Sequence, residues 1–253
     1  MNPFIRGLVR SVAETFVLPG PILEVGSYQC DGQAEIADLR SLFPGRHYTG
    51  IDVRPGPGVD EIANVEALPY PDASFGTVLA LETFEHVAHF WRGFAEVRRV
   101  LRPDGVLLVS SPFYFHIHPH PKDYWRFTPE AFQMLLDDYP SKIIGTHGPA
   151  TRPAAVWALA CREDRAPISP AEYLSYQTRM NLYARMPLPW ARRLSYRLGS
   201  LFCGHRPFAP YLERDSWHGE CLNRPARVPS SNASQKRQGQ SRRFSEASLS
   251  GTE

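Results

Sequence analysis

ILEVGSYQCDG, Ile22 to Gly32, reads as a short apolar strand that runs into a turn. Ile22–Val25 is the strand, Glu24 places an acid near its end, Gly26 follows directly, and a second glycine stands at Gly32. A glycine just past a strand lets the backbone approach a ligand closely. In an open α/β sheet, ligands sit beyond the carboxyl ends of the strands where the strand order reverses. The stretch therefore predicts both a sheet of this kind and the place of its site.

The segments that follow fit such a sheet. Gly32–Phe43 carries Ala34, Ile36, Ala37, Leu39 and Leu42 at helical spacing. His47–Asp52 reads as the next strand, and GTVLAL, Gly76–Leu81, is a continuous apolar run suited to a sheet covered on both faces. His89–Leu101 is a helix with Phe90, Phe94, Val97 and Leu101 on one side, and RPDG turns the chain into the apolar strand Val106–Ser110. Thr128-Pro129-Glu130 starts a further helix, with a capping hydroxyl, a first-turn proline and an acid at the positive end of the dipole. Lys142–His147 and Ala155–Cys161 read as two more strands. The alternation predicts an α/β fold with a doubly wound, mostly parallel sheet and helices on both faces.

Outside this body, residues 1–20 form an amphipathic helix: Ile5, Leu8, Val9, Val12 and Phe16 recur at helical spacing, and a core-facing role is expected over a membrane-surface one. Arg6, Arg10 and Glu14 break any signal-peptide core, and no apolar run is long enough to span a membrane. Residues 166–222 lack strand signals and carry two helical stretches, Pro170–Arg185 and Trp190–Phe202. In the second, Trp190, Leu194, Leu198 and Leu201 share a face, while Arg192, Arg193 and Arg197 lie elsewhere. This pattern suits a membrane surface or a cap over the site, and the cap is expected. Residues 223–253 hold six Lys or Arg against two acids and almost no large apolar groups, so disorder is expected there.

Without that basic tail, the remaining chain has 22 basic and 24 acidic side chains. A slightly acidic body gives no reason to expect a nucleic-acid partner. Cys30, Cys161, Cys203 and Cys221 show no close pairing, which suits free thiols in a reducing cytoplasm. Cys203-x-His205 and His218-x-x-Cys221 do not match a standard zinc spacing.

The acid at the end of the second strand, Asp52, can accept hydrogen bonds from ribose hydroxyls. That trait belongs to NAD enzymes and to nucleoside-binding transferases alike. A dinucleotide fingerprint needs GxGxxG to present amides to a pyrophosphate. Here the middle glycine is missing, and Glu24 would repel phosphate while attracting a cationic ligand.

The block ALPYPDASFG, Ala67–Gly76, the residues FEHV, Phe84–Val87, and VLRPDGVLLVSSP, Val100–Pro112, together with Glu24-x-Gly26, carry a resemblance. From Pro21 to about Cys161 the chain resembles a class I S-adenosylmethionine-dependent methyltransferase of the type 11 group, so a methyltransferase domain is expected over 21–165. The resemblance implies a seven-stranded Rossmann-like sheet and S-adenosyl-L-methionine as cofactor. It implies that Glu24 supports the first loop near the methionine amino group, and that Gly26 and Ser27 lay backbone against the methionine. Asp52 would bind the ribose, Asn64 and Val65 the adenine edge, and Leu81 and Glu82 would offer a carbonyl to the amino group. Tyr28 and Cys30 stand where further glycines are usual, Asn64 where an aspartate is common, and Gly76 where an aspartate is frequent.

After the strand Val106–Ser110 comes SPFYFHIHPHPKDYWRFTPEAF, Ser111–Phe132, the loop that faces the transferred methyl in this fold. His116, His118 and His120 alternate, so in extended chain they point the same way. These histidines, with Asp123 and Tyr124, are the candidate catalytic residues, one imidazole acting as general base and the aromatics shaping the pocket. Trp125 and Phe127 read as core anchors, Arg126 as salt-bridged, and His86 as packing beneath the cofactor. A metal site at the three imidazoles is a second reading, but no carboxylate completes a clear ligand set, so no metal is expected. The expected acceptor is a small molecule or a glycan- or lipid-linked one. The alternatives are a non-catalytic scaffold of this fold and an NAD-binding oxidoreductase.

Overall fold

Eight strands form one sheet in the order β3-β2-β1-β4-β5-β7-β6-β8 in a computed structural model that describes residues 1–224 apart from Asp31, Pro119, His120, Pro187 and Arg206. His120 and the tail beyond Arg224 thus lie outside the described residues. The strands are β1 Ile22–Val25, β2 Tyr48–Asp52, β3 Glu61–Ile62, β4 Phe75–Leu81, β5 Leu101–Pro112, β6 Ser141–His147, β7 Ala155–Cys161 and β8 Trp217–Asn223. Pairs β1–β2, β1–β4, β2–β3 and β4–β5 are parallel, and β5–β7, β6–β7 and β6–β8 are antiparallel. The strand order reverses between β1 and β4, which places the switch point at Val25 and Leu81. The RPDG segment is part of β5 as an irregularity in its register with β4, between the pairs Phe75–Leu101 and Thr77–Val106.

Among the described residues the helices are α1 Pro3–Thr15, α2 Ala34–Ala37, α3 Phe90–Val100, α4 Pro129–Leu135, α5 Pro170–Tyr183, α6 Trp190–Cys203 and α7 Ala209–Leu212. All seven residues of β4 are buried because both faces of the sheet are covered. Val78 and Ala80 join the core with Phe94, Val97 and Phe132 of α3 and α4. Leu79 and Leu81 join the opposite core with Leu8 and Val12 of α1 and Tyr176 and Met180 of α5. The apolar face of α1 is therefore a core face: Ile5, Leu8, Val9, Val12 and Phe16 are all buried. Helices α1 and α5 cross closely at Gly7, where an added Cβ would lie 2.3 Å from the Tyr183 carbonyl oxygen.

Three sequence expectations are corrected. The helix expected over Gly32–Phe43 is broken into α2 and a 3-10 turn at Arg40–Leu42. Asp38 stops it, its carboxylate accepting from the Arg40 amide at 3.0 Å, a local bond that competes with helix continuation. Residues 166–222 are not purely helical, because β8 adds an eighth strand on β6. Trp217 and Cys221 pack toward the α1–α5 core while His218 and Glu220 face out. The apolar stripe of α6 does not face a core. Tyr196 stacks on Tyr211 and Gly199 abuts Phe208, so this side of α6 meets α7. Trp190, Leu194, Leu198, Leu201 and Phe202 are left exposed.

The helix α5 begins with a capping box: the Ser169 hydroxyl accepts from the Glu172 amide at 3.2 Å, and the Glu172 carboxylate accepts from the Ser169 amide at 2.8 Å. Ser169→Ala is expected to destabilise the fold by about 1 kcal/mol. A thermal melt checks this, as a drop of about 2–4 °C for a domain of this size.

Candidate active site

The carboxyl ends of β1, β2 and β4 open into a cavity of about 740 Å³, within the range of small-molecule sites. Glu24, Gly26, Ser27, Asp52, Asn64, Val65, Leu81 and Glu82 all line it, and so do His116, His118 and Tyr124. Met186 reaches it from the C-terminal addition, and Met1 and Asn2 from the start of α1.

The β1 turn is tight. Gly26 has φ +78°, and its amide donates to the Ile51 carbonyl at 2.8 Å. Across from it the Thr83 hydroxyl lies 3.0 Å from both the Val25 and Leu81 carbonyl oxygens, tying the ends of β1 and β4 together. The Ser27 amide also goes to Ile51, at 3.0 Å, while its buried hydroxyl oxygen has no hydrogen-bond partner among the described residues. At the end of β2, Asp52 Oδ1 accepts from the Arg54 amide at 3.0 Å, and the Arg54 guanidinium lies over the Tyr28 ring. Oδ2 of Asp52 makes no hydrogen bond among the described residues. Asn64 Oδ1 accepts from the Glu66 amide at 2.9 Å, so one lone pair of the oxygen proposed for adenine is already engaged. The Leu81 carbonyl is likewise engaged by Thr83.

Glu24 is buried, and burial lifts its pKa to about 7 although the Tyr48 hydroxyl donates to it at 2.6 Å. Glu82 adopts φ +52°, accepts from the Ser110 hydroxyl at 2.9 Å, and is raised by burial. Glu85, fully buried, is raised further by burial and by the neighbouring Glu82. With Asp52 and Glu66, five carboxyl groups line the cavity against one Arg or Lys, Arg54, among the described residues. This donor set suits a nucleoside that carries ammonium and sulfonium charge and disfavours a pyrophosphate.

The loop after β5 docks on the turn after β4. Tyr124 and Trp125 amides donate to the Glu85 carbonyl at 2.7 and 3.3 Å, and His86 Nδ1 lies 2.6 Å from the Lys122 carbonyl oxygen. Asp123 is paired with Arg126, and it also accepts from the His118 amide at 3.0 Å. The Arg126 guanidinium holds its carboxyl well below the usual range. Asp123 thus latches the loop through Arg126, and its lowered pKa makes it a weak proton acceptor. Phe127 is buried as expected, but Trp125 is 36% exposed, edge-on to Phe90 with its indole N–H donated to Val87 at 3.0 Å. His116 and His118 are 6.1 Å apart between ring centroids, so these two histidines do gather. Glu85 had no role in the sequence reading. Its signal was an acid beside a histidine in the turn that follows a buried strand. Cys203, His205, His218 and Cys221 form no ligand cluster among the described residues.

A family model for a methyltransferase domain matches residues 30–109. Phthiotriol/phenolphthiotriol dimycocerosates methyltransferase 1 of Mycobacterium ulcerans is 39% identical over 102 residues, 36% of each chain. The 27-O-demethylrifamycin SV methyltransferase of Amycolatopsis mediterranei is 47% identical over 60 residues, 21% of this chain and 22% of that one. The chain thus spans between about a fifth and two fifths of the length of such curated relatives. In fold it is similar to 1,6-didemethyltoxoflavin-N1-methyltransferase of Burkholderia thailandensis, solved with 1,6-didemethyltoxoflavin and S-adenosylhomocysteine. That likeness has a TM-score of 0.50 at 16% identity, over 63% of this chain and 79% of that one.

Proposed function

We infer that this chain, which carries a class I S-adenosylmethionine-dependent methyltransferase domain, transfers a methyl group from that donor to a small-molecule or a glycan- or lipid-linked acceptor. The observation that carries the reading is the acid-lined cavity at the switch point, with Asp52 at the end of β2 and the Gly26 turn at the end of β1. The bound donor supplies an electrophilic methyl on a sulfonium sulfur. Asp52 holds the ribose hydroxyls through Oδ2, its other oxygen being fixed by Arg54. Glu24 stands near the amino group, Gly26 and Ser27 lay backbone along the methionine, and Asn64 and Val65 edge the adenine. The Glu82 carbonyl serves the amino group, since that of Leu81 is engaged by Thr83.

On the acceptor side, Phe115 and Tyr124 wall the cavity, and alignment does much of the work of a methyl transfer. His116, exposed at the lip, takes a proton from acceptors that must lose one. The relatives named above act, by their names, on phthiotriol/phenolphthiotriol dimycocerosates and on 27-O-demethylrifamycin SV, which supports the acceptor class. Among the described residues no helix is long and apolar enough to cross a membrane, and the four cysteines are free, which supports a cytoplasmic location.

Thermal unfolding with ligand tests the reading. S-adenosylhomocysteine at one hundred times its dissociation constant is expected to stabilise by about 2.7 kcal/mol, and NAD to do nothing. Asp52→Ala is expected to weaken that binding about 10- to 30-fold, equivalent to about 1.4–2 kcal/mol. A shift with neither ligand points to a non-catalytic scaffold, and a shift with NAD alone to an oxidoreductase.

A further inference from the structure

We propose that Glu85, His86 and His118 form a site for a divalent first-row transition-metal ion at the acceptor end of the cavity. Glu85 and His86 come from the 3-10 turn after β4, and His118 from the loop after β5. One ligand atom from each lies within 4.8 Å of the others. Glu85 Oε1 and His86 Nε2 are 3.7 Å apart. Two imidazoles and one carboxylate, with positions open toward a cavity, are the donor chemistry of catalytic zinc and of non-haem iron.

Two independent observations favour a ligand set over mere packing. The first is Glu85, which is fully buried, lines the cavity and, among the described residues, has no hydrogen-bond partner on either carboxylate oxygen. A buried carboxylate left in that state is expensive, and a cation beside it removes the expense. The second is the way the two rings are held. His86 Nδ1 lies 2.6 Å from the Lys122 carbonyl oxygen, and His118 Nδ1 lies 3.0 Å from Asp123 Oδ2. Metal-ligating histidines carry such a polar contact at one ring nitrogen, which fixes the ring. Asp123 is fixed in its turn by Arg126, so the latch that is unsuited to proton transfer suits an outer-shell partner. The rings meet edge-on at 4.9 Å between centroids. With bonds of about 2.1 Å, tetrahedral ligand atoms stand about 3.4 Å apart, so small side-chain rotations close the set.

Phe115, His116 and Tyr124 line the same cavity. The acceptor assignment that follows rests on the methyl-transfer reading; the metal site does not. The acceptor is then a hydroxyl compound whose oxygen binds the ion. Its O–H proton passes to His116, the oxygen takes the methyl carbon, and the electron pair of the broken C–S bond stays on sulfur.

The full chain, stripped with a chelator and titrated with CoCl₂, is the test. One Co²⁺ per chain with visible d–d absorption is expected. His118→Ala is expected to weaken Co²⁺ binding at least 10-fold while S-adenosylhomocysteine still binds, which shows that the variant is folded. Glu85→Gln is expected to weaken it similarly. The proposal is overturned if a chain that binds S-adenosylhomocysteine shows no saturable Co²⁺ or Zn²⁺ binding, or if both variants bind Co²⁺ as the native chain does. Co²⁺ binding that both substitutions weaken, in a native chain without affinity for S-adenosylhomocysteine, upholds the metal site and removes the methyl-transfer reading together with the hydroxyl assignment.

Discussion

Gly26→Ala is expected to weaken S-adenosylhomocysteine binding by about 100-fold or more and to destabilise the fold by about 2–4 kcal/mol. Two effects act at this one position. Gly26 sits at φ +78°, where an L side chain is strained. The new Cβ would also lie 2.3 Å from Thr83 Oγ1 and 2.8 Å from Thr83 Cγ2. Thr83 has little room to give, since its hydroxyl is anchored at the ends of β1 and β4 and the residue is buried. Relief must come from the two turns moving apart, and these turns are the walls of the donor side of the cavity. Urea unfolding reads the stability loss and calorimetric titration reads the affinity. Gly32→Ala is the control: its φ is +73°, but an added Cβ meets nothing within 4 Å, so only the conformational strain applies. Should Gly26→Ala bind S-adenosylhomocysteine as well as Gly32→Ala does, the turn is not where the donor rests.

The parts of the fold that sequence makes legible are those set by local physics. The strand β4 is a continuous apolar run because two layers of helix cover it, and the start of α4 is written in Thr128 and Pro129, whose hydroxyl and ring act within one turn. The parts that escape reading depend on partners far away in the chain. The strand β8 alternates Trp, Gly and Cys with His, Glu and Leu, a pattern that becomes a strand only because β6 offers it an edge. The stripe on α6 announces an apolar face without saying which side of the helix meets its neighbour. Tyr196 and Gly199 take the contact with α7, and the stripe is turned outward. The same holds in the site. Glycine and acid at the strand ends could be read in place. The meeting of Glu85 with His118 joins the turn after one strand to the loop after the next, and no spacing rule connects them.

Two buried groups should give this fold a stability profile whose slopes oppose each other in mildly acid solution. Glu24 has its pKa raised to about 7, chiefly by burial, so the folded chain keeps its proton where the unfolded chain loses it. Its contribution is fully present below the ordinary carboxyl pKa of about 4.5 and is lost as pH rises toward 7. His147 stacks on Phe4 with ring centroids 3.7 Å apart, and burial lowers its pKa to about 4. Its contribution is present above the ordinary value of 6.5 and is lost as pH falls toward 4. Each spans about 3 kcal/mol, an order-of-magnitude figure, and between roughly pH 4.5 and 6.5 the two slopes nearly cancel. Glu24→Gln keeps an oxygen for the Tyr48 hydroxyl while removing the titration. Relative to the native chain, the variant is expected to gain stability steadily from about pH 4.5 to 7, by up to about 3 kcal/mol, and then to hold that gain. In the native chain, affinity for S-adenosylhomocysteine should rise as pH passes 7, because its ammonium favours ionised Glu24; in Glu24→Gln this part of the rise should vanish. Denaturation midpoints measured from pH 4 to 8 decide the matter: parallel curves for the two proteins mean that Glu24 is not held protonated by its burial, and the coupling between this carboxyl and the donor's charge goes with it.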